Sequence, residues 1–104
     1  MMTLVVDASV VAEILLGTSR GRDAGRYLFN PALVAPSHLG IEVASVLRGW
    51  ALGGHLSEDR ARLALSEFDE LSVAQVDLTP RLDEVFALRH NLTAYDAAYV
   101  VLAR

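Results

Sequence analysis

The sequence predicts an α/β fold, a mostly parallel sheet with helices on both faces. Three observations carry that expectation. Short, mostly apolar stretches at 3–6, 32–35 and 73–76 read as buried strands. Segments with helical apolar spacing separate them, and strand–helix alternation calls for a parallel sheet. The length of 104 residues, 53% of them apolar, suits one core, so 1–104 reads as a single domain.

Each element has its own local reason. In the first strand Leu4, Val5 and Val6 follow one another without a polar break. Ser9 is placed to cap a helix over 10–16, which Gly17 ends. A polar turn over 18–21 leads to a short helix over 22–28, broken by Asn30-Pro31. The second strand, 32–35, closes at Pro36, and Ser37 opens a helix to about Leu52, stopped by Gly53-Gly54. Ser57-Glu58-Asp59 is a hydroxyl cap followed by two acids, which suits the positive end of a helix dipole. That helix runs to about Leu71, with Leu63, Leu65, Phe68 and Leu71 approximating one apolar face. Thr79-Pro80 starts a helix to about His90, with Pro at its first position, and Thr93 opens the last helix, through Arg104.

Composition excludes several chemistries. With no cysteine there is no disulfide scaffold, zinc ribbon, iron–sulfur site or thiol nucleophile, which suits a reducing, cytoplasmic setting. All nine basic residues are Arg, and the absence of Lys removes a P-loop, a Schiff base and a receiver-type phosphotransfer site. A haloacid-dehalogenase-type phosphatase needs a second Asp two residues after a strand-end Asp, and Ser9 occupies that position. The longest apolar run, 97–103, is far shorter than the roughly 18 residues of a membrane span. No basic segment precedes an apolar stretch at the N-terminus, so no signal peptide is visible and no membrane partner is expected. A net charge of −4 gives no general attraction to nucleic acid. Arg20, Arg22 and Arg26 form a small basic group, either a contact for phosphates or a protein partner, or a solvated turn. His38, His55 and His90 have no metal-ligand spacing and read as surface or helix-end residues.

Three carboxylates stand in apolar surroundings. Asp7 lies at the carboxyl end of the first strand, where open α/β sheets bind ligands, although a turn residue supporting the next helix would look the same. Glu42 interrupts the helical stripe Leu39, Val43, Val46, Leu47, Trp50; a flank glutamate with a packed stem and a solvated head is the plainer alternative. Asp96 sits among Leu92, Tyr95, Tyr99 and Val100, and Thr93–Asp96 also has the spacing of a capping box. Carboxylates that converge repel one another unless a cation stands between them, and Mg²⁺ or Mn²⁺ takes oxygen ligands.

The words around these acids resemble the PIN-domain family, in particular the VapC-like toxins of bacterial type II toxin–antitoxin systems. The resemblance rests on Val5-Val6-Asp7-Ala8-Ser9, Ile41-Glu42-Val43-Ala44-Ser45-Val46-Leu47 and Leu92-Thr93-Ala94-Tyr95-Asp96-Ala97-Ala98-Tyr99, in that order, and runs from Thr3 to Arg104. It implies a PIN-like three-layer α/β/α sandwich and a Mg²⁺-dependent ribonuclease, with Mn²⁺ as the alternative metal. It further implies that Asp7 and Asp96 ligate the metal, that Glu42 completes the acidic cluster, and that Ser9 supports it. RNA is the implied substrate, a cognate antitoxin the implied inhibitor, and a homodimer the implied assembly. Ser45 stands where many relatives carry Asn. The family pattern continues past the Asp96 helix with a strand bearing a fourth acid and a last helix. The expectation is therefore a domain incomplete at its C-terminal end, with a non-catalytic module that binds antitoxin or a sister subunit as the alternative function.

Overall fold

The structure, a computed structural model, describes residues 3–28 and 31–104. It is an α/β fold with three parallel strands and six α-helices among the described residues. Asn30, half of the expected Asn30-Pro31 break, lies outside the described residues.

The strands β1 (Thr3–Val5), β2 (Ala32–Pro36) and β3 (Ala74–Val76) pair in the order β1-β2-β3. Leu4 faces Leu33 across the first pair, and Ala35 faces Gln75 across the second. Parallel neighbours need long crossovers, and helices fill them. Between β1 and β2 lie α1 (Ala8–Leu16) and α2 (Ser19–Tyr27); between β2 and β3 lie α3 (Leu39–Leu52) and α4 (Glu58–Glu67), followed by a 3₁₀ turn, Phe68–Leu71. After β3 come a 3₁₀ turn, Thr79–Arg81, then α5 (Leu82–Ala87) and α6 (Ala94–Ala103).

Several boundaries depart from the sequence expectation, each for a local reason. The cap of α1 is Asp7 rather than Ser9, because the Asp7 carboxylate accepts the Val10 N–H. The segment 18–21 is no free turn. Thr18 accepts the Gly21 N–H through its hydroxyl, which starts α2 at Ser19, ahead of the expected Arg22. Ser37 does not open α3, since its N–H is spent on the Val76 carbonyl, extending the β2–β3 pairing; His38 takes the cap position without a side-chain bond. The single helix expected from Thr79 to about His90 is split and shortened. Asp77 accepts both the N–H and the hydroxyl of Thr79, which winds the entry into a 3₁₀ turn, and α5 ends at Ala87. Ser57 and Thr93 cap their helices as expected.

The main core gathers Val6, Val11, Ala12 and Leu15 with Ala35, Leu39, Val43 and Leu47, joined by Ala61 and Ala64 of α4. On α4 the buried face is therefore made by the two alanines, while Leu63 and Leu65 are exposed. Small side chains let α4 approach α1 and α3 closely, an advantage that apolar size alone does not reveal. A second, smaller cluster joins Val85 of α5 to Ala97 and Val101 of α6, with Leu88 and Leu92 packed on it. No helix among the described residues is long and apolar enough to cross a membrane.

Candidate active site

Asp7, Glu42 and Asp96 line one open cleft of about 390 Å³, together with Ala8, Ser9, Ser45, Val46 and Tyr99. All three singled-out acids thus line the same cleft, from three separate elements. Asp7 follows β1 and heads α1, Glu42 stands in the first turn of α3, and Asp96 in the first turn of α6. Acids at helix N-termini face the positive end of the backbone dipole, which offsets part of the repulsion between them.

Each carboxylate is held differently. Asp7 Oδ1 accepts the Val10 N–H at 3.0 Å, which fixes the side chain against the start of α1. Glu42 Oε1 accepts the Tyr99 hydroxyl at 2.6 Å, within the short range of charge-assisted O–H···O⁻ bonds. His38 Nε2 stands 2.9 Å from that same oxygen, off the axis of a hydrogen bond. The Glu42 side chain keeps 30% of its surface exposed, so its stem packs while its head looks into the cleft. At Asp96 only half of the capping box forms: Thr93 Oγ1 accepts the Asp96 N–H at 3.2 Å, and the Asp96 carboxylate makes no return bond among the described residues. That leaves its oxygens to the cleft.

Tyr99 senses all three acids. Burial pushes its hydroxyl well above the ordinary tyrosine range, the bond to Glu42 adds to this, and the negative charges of Glu42, Asp7 and Asp96 push it the same way. Its ring packs edge-on to His38, 5.4 Å between centroids, and Tyr95 does the same from the previous turn of α6 at 5.3 Å. Sequence reasoning reads His38 as a surface or helix-end residue. It does stand at the head of α3, but it is largely enclosed, wedged between two tyrosines and Glu42. The signals that would find these residues are the four-residue step from His38 to Glu42 and the three-residue step from Asp96 to Tyr99, each placing both side chains on one helix face.

The expected arginine group stays out of the cleft lining. Arg22 donates to the Gly17 carbonyl at 2.5 Å, and Arg26 pairs with Asp23 at 3.5 Å. Ser9 and Ser45 do line it, and bring two hydroxyls to the acids.

The donor set is all oxygen, the choice of hard divalent cations such as Mg²⁺ and Mn²⁺. Among the described residues no three His, Cys, Asp or Glu side chains form a ready-made metal cage. An open acidic cleft of this kind fits Mg²⁺, which usually keeps several waters beside its carboxylate ligands.

No family model matches the chain. Curated relatives do. Ribonuclease VapC1 of Mycobacterium tuberculosis is 40% identical over 101 residues, covering 95% of this chain and 76% of the relative. Ribonuclease VapC12 of the same species is 31% identical over 100 residues, covering 96% and 78%. Ribonuclease VapC3 of Pyrobaculum aerophilum is 36% identical over 107 residues, covering 98% and 82%. The aligned stretches run through nearly all of the sequence, and so through the three acidic words around Asp7, Glu42 and Asp96. Taken with the parallel α/β fold, they show that this chain belongs to the VapC family of PIN-domain ribonucleases.

Proposed function

We propose that this chain is the toxin of a type II toxin–antitoxin pair, an endoribonuclease that hydrolyses RNA phosphodiester bonds in the cleft of Asp7, Glu42 and Asp96. The observation that carries this reading is that three carboxylates from three elements line one open cleft with no basic side chain among its described lining residues. Such a cleft repels a phosphodiester on its own, and a net charge of −4 does nothing to offset that. Asp7 and Asp96 would hold Mg²⁺, or Mn²⁺ in its place, with Glu42 completing the set. When bound, the cation lowers the pKa of water and neutralises charge on the phosphate in the transition state.

The chain's own groups supply position. The Val10 N–H fixes Asp7, the Tyr99 hydroxyl fixes Glu42, and the first turn of α6 presents Asp96 with its oxygens uncommitted. Ser9 and Ser45 offer hydroxyl donors to phosphate oxygens or to ordered water at the mouth. The relatives' names support an RNA substrate; in this reading a cognate antitoxin silences the enzyme by lying across the cleft. In this reading the protein works as a homodimer in the cytoplasm, the domain spanning 1–104.

Purified protein incubated with RNA and Mg²⁺ should yield cleavage products, and either excess chelator or Asp96→Asn should return the RNA to background stability. Cleavage that survives the chelator or the substitution overturns the assignment.

A further inference from the structure

We propose that Tyr99, backed by His38, is a positioning residue that holds one oxygen of Glu42 out of service so that only the other meets the metal. The inference rests on the reading of Glu42 as part of a metal site. Tyr99 donates to Oε1 at 2.6 Å, and His38 Nε2 crowds the same atom at 2.9 Å. Among the described residues nothing hydrogen-bonds Oε2. A free glutamate side chain rotates among several states and can offer both oxygens at once; this one has a fixed orientation and a single uncommitted oxygen.

The clamp is built from two helices. His38 and Glu42 sit one turn apart at the head of α3, and Tyr95 and Tyr99 one turn apart on α6. The imidazole lies edge-on to both tyrosine rings, at 5.3 and 5.4 Å, so four side chains from two helices interlock. The Tyr99–Glu42 bond spans 57 residues of sequence, which makes it a tertiary tie rather than a local cap. Partners that orient a metal ligand through its far atom usually matter nearly as much as the ligand.

Calorimetric titration of the full chain with Mn²⁺ alone tests the idea, using wild type, Tyr99→Phe, Glu42→Ala and the double variant. Tyr99→Phe keeps the ring and its packing and removes only the hydroxyl. It should weaken Mn²⁺ binding by about 10- to 100-fold, and should add nothing further in the Glu42→Ala background. His38→Gln should weaken binding in the same direction. With RNA, Tyr99→Phe should lower kcat and leave KM near wild type. A merely structural role would lower the melting temperature and leave Mn²⁺ affinity unchanged, and that result overturns the proposal. Additive losses in the double variant overturn it as well. Should Glu42→Ala leave Mn²⁺ affinity intact, Glu42 is no ligand and the underlying reading fails; weakened binding in Glu42→Ala with none in Tyr99→Phe removes the positioning role alone.

Discussion

The two oxygens of Asp7 stand in different situations: Oδ1 accepts the Val10 N–H, while Oδ2 has no hydrogen-bond partner among the described residues. One oxygen serves folding and the other is open to the cleft, so the two roles are separable by substitution. Asp7→Asn keeps a capping oxygen and should unfold in urea close to wild type, since Asn and Asp cap about equally well. Asp7→Ala loses the cap and should cost about 1 kcal/mol. Both should abolish RNA cleavage; an Asp7→Ala protein as stable as wild type would show the cap to be idle. The strand-end position of Asp7 and the break that Glu42 makes in its apolar stripe are legible in the sequence, because each is a local anomaly. His38 and Tyr99 are not. A histidine at a helix head and a tyrosine in an apolar helix look ordinary until α3 and α6 become neighbours, and no periodicity contains that fact.

Elements were legible to the extent that their ends are set locally. Ser57 and Thr93 cap where a hydroxyl before a helical pattern should, and the strands fall within a residue or so of the apolar runs. Where a distant group intervenes, the boundary moves. The Val76 carbonyl takes the Ser37 N–H, and α3 starts late. The meeting of α1 and α2 shows the same dependence. Gly17 ends α1 with φ 67°, a left-handed conformation that glycine adopts freely. The chain then doubles back so tightly that a Cβ on Gly21 would fall on the Glu13 carbonyl. Gly21→Ala should therefore force the two helices apart and cost about 1–3 kcal/mol in urea unfolding. A stability within 0.5 kcal/mol of wild type, about the scatter of a harmless surface change, would mean that α2 is free to shift.

At the scale of the whole molecule the described residues bury two hydrophobic clusters, a larger one under α1, α3 and α4 and a smaller one between α5 and α6. The acidic cleft lies along the seam. Asp7 and Glu42 come from elements of the larger cluster, Asp96 from the helix that anchors the smaller, and Tyr99 packs against the larger while belonging to α6. Small clusters open at lower free energy than large ones. Amide hydrogen exchange should be faster in α5 than in α1 and α3, and Tyr99→Phe should quicken exchange in α6 while leaving α1 unchanged. Uniform exchange across both clusters would mean that the seam has no mechanical meaning. One further feature constrains how such a protein can drift over evolutionary time. Helix α1 is fastened at both ends, by Asp7 at its head and by Arg60 of α4, whose Nη2 donates to the Leu15 carbonyl at 3.0 Å. Each residue inserted into a helix turns everything beyond it by about 100° and shifts it by about 1.5 Å. The length of α1 is therefore constrained as well as its packing, and a one-residue insertion there would swing either the acid from the cleft or the carbonyl from its arginine.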